Sequence, residues 1–295
     1  MTNKIEWNYP NAIVDCKWLS KNLNDDNIRI YDCTTYLNYK DDDPTLPYLV
    51  ESGRKQYEIS HIPNSSYIDI QSDLSDKDSP YRFTMPKLRT LSENFKRLGI
   101  GENFHIILYS RNGTQWSARV WWMLRSVGVD NVSILDGGFN EWVRNGLPTT
   151  NEITFFSTSN FTFKPRDDIF VSKEIIIKTL EDKNTKILNS LTEDIHSGQN
   201  PRYGRPGRIP NSINIPFHKL VDAKTGKFLH IEELFKIFQL NNIKHENDII
   251  NYCGGGIAAS LEAFILYQLG FENITIYDNS LSEWATDETL PMEKD

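Results

Sequence analysis

Cys253 is followed by Gly254, Gly255 and Gly256, and then by Ile257, Ala258, Ala259 and Ser260. A thiol at the head of so bare a segment is the strongest chemical signal in the chain. Glycines lose much backbone entropy on ordering, so three in a row mark a backbone that must bend sharply or approach something closely. The preceding "DIINYC" reads as a strand and the following run as a helix. The cysteine then lies at the carboxyl end of a strand, the edge where open α/β sheets bind ligands. Successive N–H groups from Gly254 to Ala258 can turn toward the sulfur, and the helix N-terminus adds positive potential. Both favour a thiolate, below the ordinary thiol pKa of about 8.5, and so a nucleophile at neutral pH. The competing account is a structural cysteine at a tight turn. Cys16 and Cys33 fall under that account, because neither opens a glycine-rich turn.

Other chemistries are disfavoured by what surrounds the thiol. A cysteine phosphatase needs arginine at the sixth position after the nucleophile, which here is Ala259, and no lysine or arginine occurs from Gly254 to Tyr267. A phosphate dianion would meet only amides. No GxxxxGK[ST] or GxGxxG pattern is present. Three widely spaced cysteines suit neither a disulfide framework nor paired zinc ligands. The expectation is an enzyme with no metal and no cofactor. A net charge of −8 argues against nucleic acid and anionic membranes as partners. No stretch approaches the roughly 20 apolar residues of a membrane span, and "MTNKIEWNYP" lacks an apolar signal core, so a cytoplasmic location is expected.

The elements that must position the thiol come in two copies. "HIPNSSYIDI" from His61 matches "RIPNSINIPF" from Arg208, "IILYSRNGTQWSARVWWMLRSVG" from Ile106 matches "IINYCGGGIAASLEAFILYQLG" from Ile249, and "ILDGGFNEW" matches "IYDNSLSEW". Three matches in one order indicate a duplicated domain. Each half alternates short apolar runs with helical periodicity: "NIRIYDC" and "TKILNS", "HIILYS" and "DIINYC", "NVSILD" and "NITIYD" read as paired strands. Gly128 and Gly270 stop the helices that follow Ser110 and Cys253. The fold class is therefore α/β, two tandem domains, each a mostly parallel sheet flanked by helices. The expected division is 1–148, a linker at 149–166, and 167–295, with the linker's phenylalanines (Phe155, Phe156, Phe161, Phe163) packing down.

Together these motifs resemble the tandem-domain rhodanese superfamily of sulfurtransferases, closest to its 3-mercaptopyruvate sulfurtransferase branch. The resemblance rests on "HIPNSSYIDI" followed by "SDKDSPY", "ARVWWMLRSVG", "LDGGFNEW", "GRIPNSINIPF", "CGGGIA" and "YDNSLSEWATDETLP", across both halves. It implies an inactive first domain, an active second domain and a site in the cleft between them. The family's loop is Cys-Gly-Ser/Ala-Gly-Val-Thr, or Cys-Arg-Lys-Gly-Val-Thr in the thiosulfate-preferring branch, so the neutral loop here favours the mercaptopyruvate side. Gly255 and Ala258 lack the hydroxyls that many relatives carry. Asn189, Leu191 and Ile195 stand where the family has an Asp-x-Arg and a second arginine, while Asp32 in the first half is retained.

The remaining site residues come from the resemblance and, for Arg111, from the analogy between the two halves. Arg202 matches an arginine assigned to the substrate carboxylate, Arg205 lies in the same loop, and His61 precedes the first Ile-Pro turn near the domain interface. Arg111 follows Ser110 in the counterpart of the active loop. The expected reaction moves a sulfane sulfur from 3-mercaptopyruvate, through a Cys253 persulfide, to a thiol such as thioredoxin, a small thiol or cyanide. The alternatives are thiosulfate as donor, or a catalytically weak persulfide carrier.

Overall fold

The structure, a computed structural model, describes residues 5–40 and 47–295. Among these residues, twelve strands are arranged in two five-stranded sheets and one hairpin. The first sheet comprises β1 (Ile13–Val14), β2 (Ile28–Asp32), β5 (Ser65–Tyr67), β6 (His105–Tyr109) and β7 (Val132–Leu135), in the order β1-β7-β6-β2-β5. The second comprises β8 (Phe170–Val171), β9 (Thr185–Asn189), β10 (Ile213–Asn214), β11 (Asp248–Tyr252) and β12 (Ile274–Tyr277), in the order β10-β9-β11-β12-β8. Every pairing in both sheets is parallel. Read from the opposite edge, the two orders are the same, as the sequence repeat requires. The six strands expected from the paired apolar runs all form where the pattern places them.

The hairpin of β3 (Thr35–Tyr39) and β4 (Tyr48–Ser52) is the element that the repeat does not announce, since the second half has no counterpart. It leaves the first sheet at Asp32 and contributes residues to the opposite half.

The two halves meet through the helices Gln115–Ser126 and Ile257–Gln268. The second is apolar on nearly every side, and all its residues except Tyr267 are buried. Such a helix must be covered on both faces: its own sheet covers one and the Gln115–Ser126 helix the other. Trp121 packs edge-on to Phe264 at 4.9 Å between ring centroids, and the Trp122 indole N–H donates to the Ser260 carbonyl at 3.1 Å. Within this apolar seam Arg119, fully buried, donates to Asp278 at 2.5 Å and to the Phe83 carbonyl at 2.7 Å. The other Asp278 oxygen accepts the Met85 amide at 2.7 Å. Pairing and hydrogen bonding are what allow a charge to be held there.

The chain also crosses between the halves at its ends and in the middle. Asn8 donates its amide to Gln268 at 2.9 Å, and Tyr9 stacks on Tyr267, so residues before β1 lie on the second half. In the segment joining the sheets Phe161 is buried and Phe156 and Phe163 are partly covered, as expected, whereas Phe155 is exposed. Among the described residues no helix is long and apolar enough to cross a membrane.

Candidate active site

Cys253 follows the last residue of β11, in the middle of its sheet, and is buried. The loop after it is fixed by its carbonyls. The Cys253 carbonyl accepts the Leu281 amide at 3.0 Å, and the Gly254 carbonyl accepts the Ser282 amide at 2.9 Å and the Ser282 hydroxyl at 2.6 Å. A trans peptide holds its N–H opposite its C=O, and no peptide bond in the described chain is cis. The amides of Gly254 and Gly255 therefore point away from the helix Ser280–Trp284. Among the described residues, the amides of Gly254, Gly255 and Gly256 have no hydrogen-bond acceptor. The Cys253 amide, by contrast, donates to the Ser280 hydroxyl at 3.0 Å.

Two of the glycines are required by their surroundings. Gly256 adopts φ +74°, and a Cβ there would come within 2.8 Å of the Arg119 guanidinium and the Asp278 carbonyl. A Cβ on Gly254 would collide with the Tyr203 hydroxyl. Gly255 has more room: its Cβ would lie 3.3 Å from the Tyr48 hydroxyl and 3.5 Å from the Arg82 carbonyl. The glycine run thus lets side chains from both halves close on the loop.

Those side chains form an aromatic wall that no local sequence signal marks. Tyr48 of β4 is buried and packs edge-on to Tyr203 at 6.5 Å and to Tyr39 at 6.3 Å. Its hydroxyl lies near the Ser282 side chain. Burial raises the phenols of Tyr39, Tyr48 and Tyr203, and proximity to Cys253 raises each further. The Arg202 guanidinium lies over the Tyr39 ring at 4.1 Å, next to the Tyr203 that abuts Gly254. Of the four positions expected to bind substrate, Arg202 is the one the fold brings to this wall.

The other three are engaged elsewhere. Arg205 directs its guanidinium at four backbone carbonyls, of Trp284, Ala285, Asp287 and Leu290, at 2.5–2.9 Å. It clamps the chain after the Ser280–Trp284 helix. Arg111 pairs with the buried Asp32 at 3.3 Å, donates to the Ser60 carbonyl and lies 3.7 Å from the centre of the Phe139 ring. His61 is fully buried, with Nδ1 2.6 Å from the Tyr57 carbonyl and Nε2 3.0 Å from the Glu152 carbonyl. It fastens the joining segment to the first half.

The first-half loop has the same frame and a different interior. The Ser110 carbonyl accepts the Phe139 amide, as that of Cys253 accepts the Leu281 amide. The Ser110 hydroxyl, however, donates to the Gly113 carbonyl at 2.5 Å, and the Arg111 amide is used by Thr34. A small cavity of about 190 Å³ beside this loop is lined by Ser110, Asn112, Asn140, Lys224 and Thr225, among others. In the second half the position of Asp32 is Asn189, which accepts the Leu191 amide at 2.9 Å, and Leu191 and Ile195 are buried. No carboxylate therefore occupies that position next to the Cys253 strand.

Burial pushes the Cys16 thiol up to about 11 and the Cys33 thiol well above its usual value. Both stay protonated at neutral pH. Among the described residues no group of three or more His, Cys, Asp or Glu side chains is placed to hold a metal ion.

Comparison with known proteins agrees with this architecture. The Rhodanese-like domain family matches twice, at residues 15–145 and 175–287. The human 3-mercaptopyruvate sulfurtransferase is 30% identical over 92% of this chain and 91% of its own. The Arabidopsis thaliana thiosulfate/3-mercaptopyruvate sulfurtransferase 2 is 29% identical over 95% of this chain and 86% of its own. The crystal structure of SseA from Escherichia coli, a 3-mercaptopyruvate sulfotransferase, superposes with a TM-score of 0.76 at 26% identity, covering 91% of this chain and 98% of that one. With two matched domains, one strand order in both sheets and a cysteine loop at the carboxyl edge of the second, this chain belongs to the rhodanese family.

Proposed function

We propose that the protein is a sulfurtransferase that takes a sulfane sulfur from 3-mercaptopyruvate and passes it to a thiol or cyanide through a persulfide on Cys253. The single observation that carries the reading is the loop itself: a thiol at the sheet edge followed by amides with no internal acceptor and no positive side chain. Amides held in advance stabilise an anionic sulfur at no cost of reorganisation. The Cys253 sulfur attacks the donor sulfur, the donor's carbon–sulfur bond breaks, and pyruvate leaves as its enolate to be protonated. An acceptor thiol, a small one or that of a protein such as thioredoxin, then attacks the outer sulfur of the persulfide.

Arg202 is the residue we assign to the donor carboxylate, since a planar guanidinium pairs with a carboxylate through two parallel hydrogen bonds. Residues 167–295 carry the reaction, residues 1–148 wall the cleft, and 149–166 join them. Three free cysteines suit a reducing compartment such as the cytoplasm. The test is a sulfur-release assay with 3-mercaptopyruvate and with thiosulfate, coupled to mass spectrometry of the loaded protein. The expected result is a higher kcat/KM for 3-mercaptopyruvate, one added sulfur on Cys253, and no turnover by Cys253→Ser. Arg202→Ala should raise KM more than it lowers kcat. Sulfur on Cys16 or Cys33, or loading without turnover, would refute the reading.

A further inference from the structure

Many members of the resembled family carry a hydroxyl at the position of Gly255, and this chain has none there. The space that such a side chain would enter is occupied by a hydroxyl from elsewhere. A Cβ on Gly255 would lie 3.3 Å from the Tyr48 hydroxyl, which β4 extends across from the first half. Tyr48 is 4% exposed, its ring fixed by Tyr39, Phe83 and Tyr203. Near it lies Ser282, whose hydroxyl donates to the Gly254 carbonyl. A buried phenol from the first half is thus placed against the glycine loop that follows Cys253.

We propose that Tyr48 is a catalytic residue of this protein, the proton donor to the pyruvate enolate, supplied by the first half in place of the missing loop hydroxyl; this rests on the sulfurtransferase reading above. The step balances without an outside reagent. The Cys253 thiolate forms a sulfur–sulfur bond with the donor's SH, and the electrons of the broken carbon–sulfur bond become the enolate. Tyr48 gives its proton to the methylene carbon, which becomes the methyl group of pyruvate. The phenolate recovers a proton from the Cys253–S–SH group, which leaves the persulfide anion on the loop amides. Burial keeps the phenol protonated until an enolate, a far stronger base, is next to it.

The proposal separates donors by whether their leaving group needs a proton on carbon. Pyruvate does, and the thiolate that leaves glutathione persulfide does not. In Tyr48→Phe, kcat with 3-mercaptopyruvate should fall by about 10²-fold, the usual size for a lost general acid, with KM little changed. Loading of Cys253 by glutathione persulfide, read by mass, should proceed at the wild-type rate. Removing the phenol oxygen also makes room at Gly255, so Gly255→Ser in the Tyr48→Phe background should recover at least about tenfold of the lost rate. Equal loss with both donors would reduce Tyr48 to a packing residue, and an unchanged kcat with 3-mercaptopyruvate would overturn the proposal outright. Failure of the sulfurtransferase reading has a different signature: wild-type Cys253 that gains no sulfur from 3-mercaptopyruvate.

Discussion

Glu262 is the one acidic side chain in the apolar helix between the two halves, and its substitution by glutamine has a pH signature that can be worked from the structure. The side chain is fully buried, one carboxyl oxygen accepts the Ser190 hydroxyl, and the other has no partner among the described residues. The charged groups on the elements packed around it are used elsewhere: Arg119 with Asp278, Arg125 with Asp130, Lys219 with Glu193. Tyr252 and Tyr277 bond Ser212 and Glu283. Desolvation therefore goes unopposed except by Ser190, and it raises the carboxyl from 4.5 to about 8.

The unfolded chain releases this proton near 4.5 and the folded one near 8. Between those values the native state binds more protons, so stability is full below 4.5 and declines as pH rises through about 8. The slope is about 1.4 kcal/mol per pH unit, and over the window the loss is at most about 4–5 kcal/mol. Glu262→Gln keeps an acceptor for Ser190 and abolishes the titration. Thermal midpoints of both proteins, measured at pH 5, 6.5 and 8, isolate the group by difference. The wild-type midpoint should fall further than that of the variant by on the order of 5 °C or more across the series. Parallel curves would refute the reasoning, because they would mean that Glu262 has the same protonation in both states.

Two further predictions concern the joint between the halves and the first loop. Arg119→Met leaves Asp278 without its cation and should destabilise the protein by about 3–5 kcal/mol, while Asp278→Asn in that background should recover part of the loss. Additive effects in a thermal-melt double-mutant cycle would show that the pair is not coupled. Ser110→Cys should not restore turnover to Cys253→Ser, since a side chain at 110 faces the Gly113 carbonyl and the Arg111 amide is spent on Thr34. Measurable sulfur release by the double mutant would assign the first loop a latent site.

The internal repeat, the alternation of short apolar runs with helical periodicity, and the three glycines after Cys253 were enough, without coordinates, to specify two parallel α/β domains with a thiol at the carboxyl edge of the second. These are properties of backbone conformation and of which face is apolar, and both are written in residues close together along the chain. The structure then shows the helix after Cys253 buried on nearly every side. What covers it, and what closes on the loop, was decided only when the halves packed. Tyr48 reaches Gly255 from a hairpin with no counterpart in the repeat, and Arg119 finds Asp278 159 residues away. Arg205 and His61 carry the right chemistry for a site, yet their donors and ring nitrogens are taken by nearby backbone carbonyls. A residue's type fixes what it can bond, but in a buried setting every polar group must be satisfied by whatever the packing brings within reach. Which partner that is depends on the tertiary arrangement alone.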